Sequence, residues 1–247
     1  NIITECPPRL IFVEKPMGNS LEESKLIKRL CDDAGVIIAV NYMRRWDNRY
    51  NIIRDYIKQN KLGNVQFIIG YGCTSLLTST SHVIDLIIEF GGDIKWVSGE
   101  LQTDYIRCVN GQEDHGGIAF IKFHSGAHGV IKGTSEDPYH YMFEISIFFN
   151  QGRITISDDG RKIDLWEFNG DSTATGSDYK ILTKNNNIIN DKRNERMLDA
   201  IDDIIDCIEN NNKPKSNAKN AIAVHQLIES MKVSTLGNNK KVYNIVN

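Results

Sequence analysis

The apolar positions of this chain change their period near residue 95, and the change separates two kinds of structure. Before it, short continuous apolar runs alternate with stripes at helical spacing. Asn1 to Pro8 is predicted to form no regular element, because Pro7 and Pro8 are breakers. Leu10 to Val13 is continuously apolar, as in a strand covered on both faces of a parallel sheet. Ser20 and Glu23 then stand at capping-box spacing, Leu26, Ile27, Leu30 and Ala34 form one stripe, and Gly35 is a natural stop. Val36 to Val40 is a second buried-type strand, so residues 9–41 read strand, helix, strand, most simply as a right-handed parallel crossover. A second helix, capped by Asp47 with Ile53, Tyr56 and Ile57 inward, runs to about Leu62 and ends at Gly63. Asn64 to Cys73 is a strand. Ser81 to Phe90 is a helix apolar nearly all round, hence buried, and Gly91-Gly92 stops it.

From Lys95 to about Phe168 the period is two. Gly117–Phe123 and His128–Thr134 flank Ser125-Gly126 as a hairpin. Met142–Phe149, Arg153–Ser157 and Lys162–Phe168 form a meander with turns at Gln151-Gly152 and Asp159-Gly160. Gly170 to Asn194 is polar and Asn-rich and reads as a surface loop. Two helices follow: Glu195–Asn210, with Met197, Ile201, Ile204, Ile205 and Ile208 inward, and Ala218–Leu236. A last strand, Lys241–Val246, joins the sheet edge. The fold class is therefore α/β plus α+β: the C-terminal part of a doubly wound domain, then a mainly antiparallel sheet with flanking helices. A sheet this wide has one face for helices and one for solvent or a partner, which predicts dimerisation through the open face.

Composition narrows the function. The 247 residues are 40% hydrophobic and 25% charged with net charge −3, so neither disorder nor a nucleic-acid partner is indicated. The apolar stretch Val83–Phe90 is too short to span a bilayer, and no signal-peptide pattern opens the sequence. Five scattered cysteines without a CxxC pair predict free thiols and a reducing cytoplasm. The chain opens on Asn1 and enters a buried-type strand almost at once, which reads as a fragment or processed form.

Three stretches carry candidate chemistry. Lys15, in Glu14-Lys15-Pro16, sits at the C-terminal end of a parallel strand, where open α/β sheets bind ligands. A lysine shuttles protons near neutral pH when burial or a nearby cation lowers its pKa. Pro16 removes a backbone donor and admits a cis bond. Taken alone, the tripeptide fits equally a surface lysine that closes a strand. His82 lies in the first turn of the buried helix, where the dipole disfavours imidazolium. It can pass a proton or bond a hydroxyl, or it can simply be packed against a carbonyl. Asp85, three residues on, can orient it or can simply be an early-helix acid that suits the dipole. Arg44 and Arg45 follow the second strand and can hold an anion or form an interdomain salt bridge. His124 and His128 flank a turn without a carboxylate or cysteine to complete a site, so no metal is predicted.

In register, Glu14-Lys15-Pro16, Val40-Asn41-Tyr42-Met43-Arg44-Arg45-Trp46, Lys61-Leu62-Gly63-Asn64-Val65, Ser81-His82-Val83-Ile84-Asp85-Leu86 and Met197-Leu198-Asp199-Ala200-Ile201 with Lys213-Pro214 resemble the Gfo/Idh/MocA family of NAD(P)-dependent oxidoreductases. The resemblance implies residues 1–44 as the remnant of a Rossmann domain and 45–247 as a substrate-binding and oligomerisation domain. It implies NAD or NADP, contacted by Glu14, Lys15, Pro16 and Arg44. It also implies a sugar, nucleotide sugar or cyclitol substrate, Lys15 as acid/base and His82 assisting. Tyr71, Asp85 and Arg45 are the expected substrate contacts, and a homodimer or higher oligomer is the expected assembly. Two departures stand out. The family's glycine-rich phosphate loop lies well upstream of the motif lysine, whereas fourteen residues precede Lys15. Many members carry Asp or Asn four residues before the histidine, where this chain has Thr78. The first departure leaves open a non-catalytic dimerising or ligand-binding module, and Lys15 as a Schiff-base former is a third reading.

Overall fold

The computed structural model describes residues 2–109, 111–136, 141–158, 160–169, 180–185 and 195–243. A short helix, α1 (Ile2–Glu5), occupies the stretch expected to be irregular and ends before the two prolines. β1 (Leu10–Val13) and β2 (Ile37–Val40) pair in parallel, with Leu10 opposite Ile37. α2 (Leu21–Asp33) makes the crossover; the Ser20 side chain accepts the Glu23 N–H at 3.0 Å, as the capping spacing predicts. α2 buries Ser24 and Cys31 and leaves Leu26 exposed, so its inner face is rotated from the predicted stripe. The far edge of β2 is held by Ser216, whose hydroxyl donates to the Val40 carbonyl at 2.6 Å.

The predicted long second helix is broken. Two 3₁₀ turns, Met43–Arg45 and Asn48–Tyr50, precede a shorter α3 (Asn51–Lys58). Asp47 does cap, accepting the Arg49 N–H, but it caps a 3₁₀ turn. Its buried carboxylate also takes the guanidinium groups of Arg49 at 2.7 Å and Arg196 at 2.6 Å. Two cations on one carboxylate pin the chain in a tight turn where a regular helix would carry Asp47 away.

The second sheet has nine strands in the order β10-β9-β8-β7-β3-β6-β5-β4-β11. Its members are β3 (Val65–Gly72), β4 (Ile94–Val109), β5 (Gln112–Phe123), β6 (His128–Gly133), β7 (Phe143–Phe149), β8 (Gly152–Ser157), β9 (Lys162–Asn169), β10 (Ile181–Asn185) and β11 (Val242–Tyr243). All neighbours run antiparallel except β3 and β6. β10 falls inside the stretch expected to be loop. Its backbone extends the ladder from β9, with Leu182 opposite Phe168. The remainder of that stretch, 170–179 and 186–194, lies outside the described residues, as do Asp159 of the predicted turn and residues 244–246 of the predicted last strand.

α4 (Thr80–Gly91) and α6 (Ala218–Leu236) cover one face of this sheet. Val83, Ile84, Leu86 and Ile87 of α4 are fully buried, each stabilising by about 1.5–3 kcal/mol. α4 lies close on β3 because Gly70 and Gly72 carry no side chains: a Cβ on either would overlap Ile87 or Thr80. That approach fixes the N-terminal turn of α4, and with it His82. α5 (Arg196–Asn210) departs from its predicted pattern. Ala200 and Cys207 are buried, whereas Met197, Ile201 and Ile205, expected inward, are 42–46% exposed. Among the described residues no helix is long and apolar enough to cross a membrane.

Candidate active site

The C-terminal ends of β1 and β2 lie side by side and deliver Glu14, Lys15 and Asn41 to one place. The Asn41 side chain donates to Glu14 Oε1 at 2.7 Å, tying the two strand ends together. The Lys15–Pro16 peptide is cis. Lys15 Nζ donates to the Thr78 carbonyl at 2.6 Å, across from the turn that leads into α4. Lys15 lines a cavity of about 170 Å³ with Pro16, Asn19, Leu77, Thr78, Val109, Gln112 and Asp114. A second cavity of about 350 Å³ adjoins it, sharing Asn19, Leu77, Gln112 and Asp114 and reaching to His115 and His225. A larger cavity, about 440 Å³, lies between α2, β2 and the start of α6 and holds none of the predicted site residues.

Burial pulls the Lys15 pKa below its ordinary 10.5, and Arg44 pulls the same way, against Glu14 and Asp114. His82 is held well below 6.5, first by burial and then by Arg44, Lys15 and Arg196. It is therefore neutral at physiological pH. Its Nδ1 is buried without a hydrogen-bond partner. The ring of the fully buried Tyr42 meets it edge-on at 5.6 Å. Ser81, next to His82, donates to the same Thr78 carbonyl that receives Lys15, at 2.6 Å. Lys15 and His82 thus interact through charge, and the Thr78 carbonyl joins Lys15 to Ser81, the residue before His82, although His82 does not line the cavity into which Lys15 opens.

The other predicted residues divide. Arg44 is 4% exposed, with its guanidinium 3.8 Å over the Phe143 ring, and its charge reaches both Lys15 and His82. Arg45 and Asp85 bind each other: Nε lies 2.9 Å from both carboxylate oxygens, and the second guanidinium nitrogen 2.9 Å from Oδ1. Burial pushes the Asp85 carboxyl up to about 6 against the pull of Arg45, so it stays ionised at neutral pH. Asp85 therefore meets Arg45 and does not orient His82, and its oxygens and the Arg45 fork are already bonded where substrate contacts were expected. Tyr71 lies on the other face of β3 from Gly70 and Gly72, which abut α4. The strand alternation thus places Tyr71 away from the Lys15–His82 pair, a correction to its expected substrate contact.

Sequence reasoning missed Asp114. Its carboxylate is 2% exposed and accepts from Ser75 Oγ, Thr78 Oγ1 and the Leu77 N–H. Counting inward positions back from Phe123 by twos reaches Gly117 and His115, so alternation assigns Asp114 outward and hides it. Among the described residues no group of His, Cys, Asp and Glu could hold a metal ion.

No family model matches the chain. An uncharacterized protein of Haemophilus influenzae is 33% identical over 102 residues, which are 40% of this chain and 99% of that protein. The scyllo-inositol 2-dehydrogenase (NAD(+)) of Bacillus subtilis is 29% identical over 167 residues, 59% of this chain and 47% of the enzyme. The chain therefore matches about half the length of that relative. Among solved structures, the WlbA dehydrogenase from Bordetella pertussis in complex with NADH and UDP-GlcNAcA superposes with a TM-score of 0.75 at 19% identity, covering 97% of this chain and 73% of that one. The five motifs in register, the parallel pair that ends in Lys15, the mainly antiparallel sheet and these relatives agree: the chain resembles the Gfo/Idh/MocA family of NAD(P)-dependent oxidoreductases and shares its fold.

Proposed function

We propose that this chain is the substrate-handling part of an NAD(P)-dependent oxidoreductase that interconverts a secondary alcohol and a ketone on a sugar or cyclitol. The observation that carries the reading is Lys15. It is a partly buried lysine with a lowered pKa that opens into a cavity and is electrostatically coupled to a buried neutral histidine. The B. subtilis relative is named for a cyclitol and the B. pertussis structure holds a nucleotide sugar, which supports this substrate class.

The residues present fit the nicotinamide end of the cofactor. Glu14, Lys15, Pro16 and Asn41 stand where parallel strands end, the ligand-binding side of such sheets. The Asn41 carboxamide oxygen and His82 Nδ1 have no partner, leaving polar capacity for a bound group. Arg44 adds positive charge beside them. When bound, the cofactor takes up or returns two electrons together with the carbon-bound hydrogen of the alcohol. Neutral Lys15 accepts the hydroxyl proton at Nζ, and its ammonium form returns it in the reverse direction. His82, held neutral, assists by placing no second positive charge beside Lys15. Arg45 and Asp85 act as framework. Lys15→Ala is expected to lower kcat by about 10²–10⁴-fold; initial rates of NAD⁺ and NADP⁺ reduction with inositols and UDP-sugars check this. Full activity of Lys15→Ala removes the lysine from its role.

The open sheet face supports self-association. Phe67 and Phe148 lie 6.0 Å apart on it, and Ile69, Ile118 and Phe120 are 38–56% exposed. Tyr71 stands between Lys132 and Glu144 in the ladder. Both charge signs beside one apolar band suit a two-fold contact with a second copy. Phe120→Asp is expected to shift the sedimenting species to monomer; an unchanged dimer places the contact elsewhere. The buried thiols Cys31, Cys73 and Cys207 fit a reducing cytoplasm.

A further inference from the structure

Three donors from one turn converge on the Asp114 carboxylate. Ser75 Oγ and Thr78 Oγ1 reach Oδ2 at 2.7 Å each, and the Leu77 N–H reaches Oδ1 at 2.8 Å. The turn is also fastened by Thr74, whose Oγ1 accepts the Ser79 N–H at 2.9 Å, by Ser81 Oγ donating to the Thr78 carbonyl at 2.6 Å, and through backbone by Leu76 N–H to the His115 carbonyl and Thr134 N–H to the Thr74 carbonyl. The residue that gives its hydroxyl to Asp114 is the one whose carbonyl receives Lys15 Nζ. Asp114 also lines both the lysine cavity and the one adjoining it.

We propose that Asp114 is the positioning residue of the proton-transferring lysine: it holds the Ser75–Thr78 turn so that the Thr78 carbonyl fixes Nζ at the cavity wall. This rests on the reading of Lys15 as the acid/base. Three of the carboxylate's acceptor sites are taken by these bonds and the residue is 2% exposed, so Asp114 acts on Lys15 through Thr78. Thr78 has no charge, and the carboxylate one hydrogen bond behind it supplies what the threonine cannot.

The charges that face Lys15 from its surroundings are few. Glu14 adjoins it on the strand end, Arg44 comes from the turn after β2, neutral His82 from α4 and Asp114 from β5. Glu14 and Asp114 favour the ammonium, whereas burial and Arg44 oppose it. Neutralising Asp114 without changing its shape therefore moves the lysine titration further down. It also frees the turn, and the lysine loses its fixed direction.

The test is an NMR titration of the lysine side chains in the whole chain, with Lys15 assigned by Lys15→Arg, alongside steady-state rates. In Asp114→Asn the Lys15 titration is expected to move to lower pH. The acidic limb of the kcat profile for alcohol oxidation, in which Lys15 must be neutral, should move with it, with kcat down on the order of 100-fold and KM within about twofold. Thr78→Val is milder, because Ser75 and Leu77 still hold the carboxylate; it shifts both readouts the same way by less, and Thr78→Ser restores them. If Asp114→Asn lowers only the melting temperature and leaves the Lys15 titration in place, Asp114 is structural and the proposal fails. If that variant does not fold, the Thr78→Val and Thr78→Ser pair decides, an unmoved titration in both again defeating it. The titration requires no turnover. A fully active Lys15→Ala would therefore sink the acid/base reading and leave the placement result standing by itself.

Discussion

Two clusters of buried charge flank α4, and they are built on opposite rules. On one side Arg45, Asp85, Glu89 and Arg54 pair completely. Asp85 takes Arg45 through two nitrogens, and Glu89 takes Arg54 at 3.0 Å and Arg45 at 3.4 Å. On the other, Lys15 has a carbonyl as its hydrogen-bond acceptor, and His82 keeps an unpartnered nitrogen. Complete pairing makes a framework in which each charge lies against an opposite one. Incomplete pairing leaves groups whose protons can move. The contrast is broken most severely by Asp85→Ala, which strands the Arg45 guanidinium in the interior. The expected loss is about 3–5 kcal/mol of unfolding free energy, read from urea midpoints. A loss below ~1 kcal/mol would mean that the pair is solvated and the contrast false.

Lys15→Met should behave in the reverse manner. It removes one hydrogen bond, worth about 1 kcal/mol, and relieves the burial of an ammonium, so stability stays within ~1 kcal/mol of the parent. Activity falls as argued above. A large loss of stability here would move Lys15 into the same structural class as Arg45.

The difference between these clusters was only partly legible in the sequence. Strand, helix and period-two signals are local, and they gave the parallel crossover, the buried helix and the wide sheet because each follows from its own residues. Lys15 and His82 were singled out by a strand end and a helix start together with the register of the other motifs; taken alone, each fits an ordinary surface or packed residue. The partners were not. Asp85 was expected to face His82, three residues away, but a carboxylate one position short of a full helical turn can equally face a guanidinium from another segment, and Arg45 lies forty residues earlier. Tyr71 looked available because the strand signal does not say which face meets a helix; Gly70 and Gly72 carried that information, since only small residues admit α4 so close. The exposed stripe of α5 shows the same limit: Met197, Ile201 and Ile205 have helical spacing, yet spacing alone does not supply something to pack against.

The smallest effect concerns pH, and its sign distinguishes the two clusters once more. His82 titrates well below 6.5 in the folded chain and His225 is also lowered, first by burial in both cases. Between the folded value and 6.5 the unfolded chain binds more protons, so stability is lost as pH falls through that window. The slope is at most about 1.4 kcal/mol per pH unit for each histidine. Asp85 works the other way. Its folded pKa of about 6 lies above the model-compound 3.8, so in that interval the folded chain holds the extra proton and acid favours it. The parent curve is therefore a difference of opposing terms, and the histidine contribution is isolated by comparing parent with His82→Gln. The variant should show a shallower acid loss just below pH 6.5, with the two curves parallel above it. Curves parallel throughout would mean that His82 titrates normally and takes up its proton in place. The buried neutral ring next to Lys15 would then be lost, and with it the physical distinction between the fully paired cluster and the one that leaves a buried nitrogen unpartnered.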